Sequence, residues 1–227
     1  MNTHYDVVII GGGINGAGLA AEAQSRGLHV FLCDKHDFAA HTSSSSTKLI
    51  HGGLRYLEQY DFKLVRTALK EREILLHTAP HLVKPLEIVM PHRPTQRPAW
   101  MIRLGLFIYD HLGGHSSLPQ SQYLKRNTNP EKFEPLHPSI QKAFSYYDGA
   151  TDDARLTLEN IILAHQLGAK VLNYTECQKA YFDDKHWHID LYSKELGPLN
   201  ISANFLINAA GPYIDTLSNE LKLPTTK

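Results

Sequence analysis

Three glycines at positions 11, 13 and 16 stand between a short apolar run and an alanine-rich segment. At that spacing each has a physical task. Gly11 makes a tight turn, Gly13 lets backbone approach a pyrophosphate, and Gly16 lets a helix pack closely on a strand. A helix opening at Ile14 and Asn15 presents free N–H groups and a partial positive charge to a phosphate, worth ~0.3–1 kcal/mol at an exposed site. Asp34, at the end of the next apolar run, can accept hydrogen bonds from a ribose, and its charge opposes a 2′-phosphate. Glycine triplets arise by chance in loops, but here Ala20, Gly27, Val30 and Asp34 complete the pattern. The chemistry is dinucleotide binding, with NAD and FAD both open and NADP disfavoured. Two His pairs, His77/His81 and His111/His115, have helical metal spacing, but Pro80 and Gly113-Gly114 interrupt the helices that would align them. No Cys or carboxylate completes either set, so no metal site is expected.

These residues need elements to hold them. Residues 5–10, YDVVII, end abruptly at glycine and predict a buried parallel strand. Residues 14–26 predict a helix stopped by Gly27, and 28–33 a second strand, giving one strand–helix–strand unit with a right-handed crossover. Further helices are predicted over 62–78, 100–112 and 153–167, the last capped by Asp152. Strands are predicted at 86–90, 144–147, 170–172 and 205–208, with 180–183 and 187–192 as part of a small antiparallel layer. The stretch 115–139, with Pro130, Pro135 and Pro138, reads as irregular. The hydroxyl run 42–47 reads either as a flexible linker or as part of a site. A long insertion between the second strand and 170–172 fits a flavoprotein in which FAD threads through discontinuous segments better than a nicotinamide enzyme.

Composition narrows the class. The 227 residues carry 23 Lys+Arg against 23 Asp+Glu, so no basic excess marks a nucleic-acid binder. A hydrophobic share of 42% suffices for a sizeable core. Two cysteines, Cys33 and Cys177, cannot form a disulfide framework, which favours a reducing compartment. No apolar stretch is long enough to span a membrane, and the chain enters its first strand without a signal-peptide pattern.

At residues 42–57, TSSSSTKLIHGGLRYL, the match becomes narrow. With GGGINGAG at 11–18, RPAWMIRLGLFIYDHLG at 97–113, DDARL at 152–156 and INAAGP at 207–212, the chain resembles the aerobic, FAD-dependent glycerol-3-phosphate dehydrogenases. These belong to the wider glycine- and D-amino-acid-oxidase-like superfamily. The likeness runs in register along the chain, which stops short of the middle of a family member, and 223–227 read as a linker. It implies an α/β fold: a Rossmann-like FAD-binding domain with a parallel sheet, plus an inserted antiparallel-sheet substrate domain incomplete in this chain. The expected division is 1–80 and 151–227 for the FAD domain and 81–150 for the insertion, whose strands at 86–90 and 144–147 would find further partners downstream. The segment 98–113 would be a membrane-facing helix or a core helix.

The resemblance also implies a reaction: oxidation of sn-glycerol 3-phosphate to dihydroxyacetone phosphate, hydride passing to flavin N5 and electrons to a quinone. The alternatives are a glycerol-3-phosphate oxidase that uses oxygen, and a non-catalytic FAD-binding fragment. Gly11, Gly13, Ile14, Asn15 and Gly16 carry over to the FAD pyrophosphate and Asp34 to the adenosine ribose, with Lys35 among the cofactor contacts. Thr42, Ser43 and Ser45 carry over as flavin or phosphate contacts, Lys48 as a charge near the ring system, and Leu49 and Gly52 as further contacts. Cys177 would meet adenine through main chain, and Gly211 would lie beside the flavin. His51, Arg55 and Tyr56 would touch the substrate. Arg55 would clamp its phosphate, since a guanidinium bonds two oxygens at once. His51 would be the general base for the C2 hydroxyl or would position the flavin. A surface ion pair for Arg55 and a core position for Tyr56 are the plain alternatives. The implied setting is the cytoplasm, peripheral on the cytoplasmic face of the inner membrane, with homo-oligomerisation open. Further phosphate-binding groups would lie downstream, so the 227 residues alone are expected to be inactive.

Overall fold

Why the glycine loop sits where it does follows from the first strand and helix. The computed structural model describes residues 3–222, and 223–227, read above as a linker, lie outside them. β1 (His4–Ile10) turns one face, Val7 and Ile9, toward Ala17, Ala20 and Ala21 of α1 (Ile14–Ser25). Its other face, Val8 and Ile10, joins a second core. The small alanines bring the helix close to the sheet. β2 (Val30–Cys33) then pairs parallel to β1, Val7 against Val30 through Ile10 against Cys33.

The chain divides into two compact units, Met1–Ser46 with Asp152–Lys227, and Thr47–Thr151. The second is thus an insertion in the first. It contains β3 (Leu49–Ile50), α2 (Phe62–Thr78), β4 (Val83–His92), α3 (Ala99–Leu112), β5 (Gln122–Lys125), α4 (Pro130–Phe133) and β6 (Lys142–Thr151). Asp61 caps α2 by accepting the Leu64 N–H at 3.0 Å. β6 organises an antiparallel sheet: β4 pairs with it throughout, while β3 and β5 pair with it at 149–150 and 142–145.

The first unit resumes with α5 (Asp153–Gln166), β7 (Lys170–Leu172), β8 (Thr175–Phe182), β9 (Trp187–Ser193), β10 (Gly197–Asn208) and α6 (Ile214–Glu220). Asp152 caps α5, its carboxylate accepting the Arg155 N–H at 3.0 Å. The six-stranded sheet has the order β7-β2-β1-β10-β9-β8. Its β7, β2, β1 and β10 run parallel, while β9 and β8 continue it antiparallel.

The structure corrects the expectation in three places. Residues 115–139 hold β5 and α4 rather than irregular chain, because Leu124 and Phe133 bury themselves with Ile140 and Ala143 in a small core. The strands near 180 and 190 extend the main sheet rather than forming a separate layer. The cause is the length of β10, whose first half pairs β9 and whose second half pairs β1, with Ser202 and Ala203 paired on both sides. The strands near 86–90 and 144–147 lie in the inserted antiparallel sheet, as expected, and pair with each other, Leu86 facing Asp148 and Met90 facing Phe144. The unit boundary falls after Ser46 rather than near residue 80, since α2 buries Val65 and Leu69 with Tyr109 of α3, inside the inserted unit.

Within that unit Glu73 of α2 accepts the Ser117 N–H at 2.8 Å and the Ser116 hydroxyl at 3.3 Å. Burial alone would raise its pKa, but these bonds, aided by His77, outweigh it and hold the carboxyl below its usual range. A depressed carboxylate contributes stability above its unfolded pKa and loses it as pH falls through the folded value. Glu73→Gln is therefore expected to lower stability by about 0.5–1.5 kcal/mol near neutrality. That difference should shrink as pH drops below 4.5, the ordinary value of a glutamate carboxyl; urea midpoints of both proteins across that range check it.

Candidate functional site

The loop between β1 and α1 is built by backbone contact that no side chain would allow. A Cβ on Gly16 would lie 1.9 Å from the Gly11 carbonyl oxygen, and one on Gly11 would lie 2.4 Å from the oxygen of Ala209. Gly11 has φ +118°, a conformation open only to glycine in practice. This packing places the start of α1 over a cleft in the first unit. Gly11, Gly13, Ile14, Asn15, Asp34, Lys35, Thr42, Ser43, Cys177 and Gly211 all line that cleft. These ten positions come from five separated stretches of sequence, and folding gathers them.

The cleft suits an anionic ligand at the helix start. Ser43 Oγ accepts the Ile14 N–H at 2.9 Å. The N–H groups of Gly13 and Asn15 have no protein partner among the described residues. Free amides at the positive end of α1 are what a pyrophosphate needs. Asp34 is already ordered, its Oδ2 accepting the Gly12 N–H at 2.7 Å and its Oδ1 the His36 N–H at 2.8 Å. An ionised carboxylate has lone pairs left for ribose hydroxyls. Cys177 Sγ lies 3.7 Å from the Lys179 carbonyl, and burial pushes its thiol up to about 12, so it remains a neutral thiol. Burial likewise raises the Cys33 thiol, with Cys177 and Asp34 adding to the effect.

Two candidates from the same stretches stand apart from the cleft lining. Gly16 acts from behind, through its contact with Gly11. Ser45 closes the 3-10 turn Thr42–Ser44 by donating its N–H to Thr42 O at 3.1 Å. Conversely, the cleft carries an aromatic rim that the sequence reading missed: the rings of His36, His41 and Tyr213 meet edge-on, with centroids 4.9 Å and 5.3 Å apart. Lys35 Nζ sits 5.9 Å from the Tyr213 ring centre. No periodic signal announces these residues, because they lie in loops and in a short turn after β10.

The remaining candidates belong to the inserted unit. Lys48 has φ +57° and accepts the Thr151 N–H at 2.9 Å, and Leu49 pairs with Ala150. Gly52 is buried against Tyr109 and Leu69, and its N–H donates to Asp148 Oδ1 at 3.0 Å. His51 Nε2 is 3.1 Å from Thr47 Oγ1, while Nδ1 is 3.5 Å from Asp148 Oδ2. Arg55 and Tyr56 are exposed on the 3-10 turn Leu54–Gln59 that follows Gly53, so Tyr56 is not a core residue. Behind Gly52 lies a buried polar centre of Asp148, Arg72 and Tyr109, also missed from sequence. A signal existed: Arg72 shares the apolar stripe of Val65 and Leu69 at i, i+4, i+7, and a charge on such a stripe needs a buried partner.

A parallel sheet with a glycine-loop cleft and an antiparallel insertion define a dinucleotide-dependent protein of the flavoprotein type. The pattern of the FAD-dependent oxidoreductase family matches residues 6–227, and the chain belongs to that family, whose cofactor is FAD. It is 54% identical over 210 residues to a glycerol-3-phosphate dehydrogenase of Pseudomonas aeruginosa, covering 92% of this chain and 40% of that protein. It is 45% identical over 222 residues to D-erythritol 1-phosphate dehydrogenase of Brucella abortus, covering 97% of this chain and 44% of that protein. Among solved structures, glycerol-3-phosphate dehydrogenase from Bacillus halodurans, complexed with FAD, matches with a TM-score of 0.70 and 32% identity, over 96% of this chain and 36% of that one. The chain thus spans about two fifths of the length of the curated relatives it matches.

The glycine contacts make a paired expectation. Gly16→Ala drives a methyl into backbone and should abolish FAD retention through gel filtration, read by flavin absorbance. Gly18→Ala, two residues on and with nothing within 4 Å, should retain FAD and gain up to about 1 kcal/mol of stability.

Proposed function

We propose that the protein carrying this chain oxidises sn-glycerol 3-phosphate to dihydroxyacetone phosphate and passes the electrons to a quinone. What supports the reading is a cleft beside the glycine loop in a chain 54% identical over 210 residues to a glycerol-3-phosphate dehydrogenase. FAD, when bound, supplies the acceptor for the hydride that leaves C2. Gly13 and Asn15 would hold its pyrophosphate through their amides, and Asp34 its ribose. Arg55, exposed and without a carboxylate partner among the ion pairs of the described residues, grips the substrate phosphate with its fork. His51 takes the C2 hydroxyl proton at Nε2, and Tyr56 lines the substrate. The Brucella relative favours a second reading within the same class, in which the substrate is a longer polyol phosphate.

The acceptor side of the proposal draws on α3. Trp100, Leu104 and Phe107 lie on one stripe and are 66%, 50% and 53% exposed, while Leu106 and Tyr109 on the opposite side are buried. No helix among the described residues is long and apolar enough to cross a membrane. The stripe instead suits shallow burial at a bilayer surface, which is where a quinone is met. The flanking arginines have protein partners: Arg97 lies 3.3 Å from Glu58, and Arg103 donates to Ser121 Oγ at 2.7 Å. The contact therefore rests on apolar area more than on charge. The proposed setting is the cytoplasmic face of the inner membrane.

Anaerobic mixing of the FAD-loaded protein with sn-glycerol 3-phosphate should bleach the flavin, and D-erythritol 1-phosphate in parallel decides between the two substrates. Oxygen uptake without added quinone would instead mark an oxidase. Arg55→Lys is expected to raise the half-saturating substrate concentration about 10- to 100-fold, the loss of a charge-assisted bond of ~1.5–3 kcal/mol. Flotation with liposomes tests the surface contact: Phe107→Glu should float less than the parent, and equal flotation would remove α3 as an anchor.

A further inference from the structure

Asp148 is the most heavily engaged polar side chain in the inserted unit, and the proposed chemistry leaves it without a task. It lies on β6, 1% exposed. Its Oδ1 accepts from the Gly52 N–H at 3.0 Å, from Tyr109 OH at 2.7 Å and from Arg72 Nη1 at 2.7 Å. Arg72, 4% exposed, also donates to the Tyr147 carbonyl at 2.9 Å. Burial, then the Asp148 charge, hold the Tyr109 phenol far above its ordinary value, so it acts as a fixed donor. All these donors sit on Oδ1. Oδ2 is left facing His51 Nδ1 at 3.5 Å, an ion-pair distance of the kind that tightens when a site is loaded.

We propose that Asp148 is a positioning residue for His51: its Oδ2 holds the proton on Nδ1 and leaves the Nε2 lone pair free as the base. The proposal rests on the reading of His51 as the group that receives the C2 hydroxyl proton. A neutral imidazole carries one proton, and the partner at one nitrogen decides where it sits. A buried carboxylate can only accept, so it selects Nδ1–H. Nε2 then accepts, and the Thr47 hydroxyl, its Oγ1 3.1 Å away, is placed to donate to it. In the proposed reaction the C2 hydroxyl takes that place and its proton passes to Nε2. Arg72 and Tyr109 fix the carboxylate from α2 and α3, and the Gly52 N–H ties the same carboxylate to the residue beside His51. Tyr146 is the further titratable group near it.

Asp148→Asn tests this sharply because the amide has a required orientation. Its oxygen must stay at the Oδ1 position to serve Gly52, Tyr109 and Arg72, so its NH2 group faces His51 Nδ1. Two donors cannot face each other, and the proton moves to Nε2. The experiment uses FAD-loaded protein labelled with 15N-histidine, with His51 assigned by comparison with His51→Gln. Proton–nitrogen correlation spectra of the neutral ring should show Nδ1–H in the wild type and Nε2–H in Asp148→Asn. In anaerobic reduction by sn-glycerol 3-phosphate, the limiting rate should fall about 10²- to 10⁴-fold, as when a base is held in the wrong tautomer. Half-saturation should move less than threefold, and adding Asp148→Asn to His51→Gln should cost nothing more. A wild-type Nε2–H form overturns the proposal even if the variant does not fold; an unchanged tautomer in the variant, or additive losses, overturn it as well. The spectra need no substrate. A wild-type flavin that no polyol phosphate reduces overturns the functional reading and the catalytic half of this proposal, whereas an unswapped tautomer overturns the proposal alone.

Discussion

Backbone touching backbone at Gly11, Gly16 and Ala209 is the constraint on which the first unit depends. Van der Waals contact between main-chain atoms brings the end of β1, the start of α1 and the turn after β10 together at one point. Any side chain at Gly11 or Gly16 would separate them. Because they stay together, Gly13 and Asn15 line the same cleft as Asp34 after β2 and Gly211 after β10. The ladder fixes the rest of the geometry: Ile10 pairs with Cys33 on one side and Asn208 on the other, so three strand ends are level with the helix start. Ligands in such sheets bind beyond the carboxyl ends of the parallel strands, and the cleft lies there.

The inserted unit depends on a different kind of constraint, a charge taken out of water. Asp148 and Arg72 are both nearly inaccessible, and burying an ion pair is favourable only where geometry and further hydrogen bonds compensate the desolvation. Gly52, Tyr109 and Tyr147 provide those bonds. Removing one partner of such a pair typically costs about 3–5 kcal/mol, because it strands the other charge. Apolar residues of equal volume could have stabilised the same junction of β6, α2 and α3. A polar centre instead gives the Gly52 N–H a fixed acceptor, which an apolar core would not provide.

What the sequence by itself determined is local. The apolar run 5–10, the glycine spacing and the alanines of α1 specify strand, turn and helix through contacts within a few residues, and they state the ligand class. The helices at 62–78 and 153–167 are likewise legible, the first from its apolar stripe ending before Pro80 and the second from Asp152 as its cap. The tertiary structure decided what depends on distant partners. β5 and α4 form because Leu124 and Phe133 find Ile140 and Ala143, although the prolines nearby argue for irregular chain. β10 runs to twelve residues because it has a neighbour on each side, which no reading of its own polar–apolar mixture reveals. His51 was visible as a candidate base, but Asp148, its ion-pair partner, lies 97 positions away on β6. Sequence spacing carries information only across the reach of one element. Which proton a histidine holds is set by a group that folding alone brings beside it.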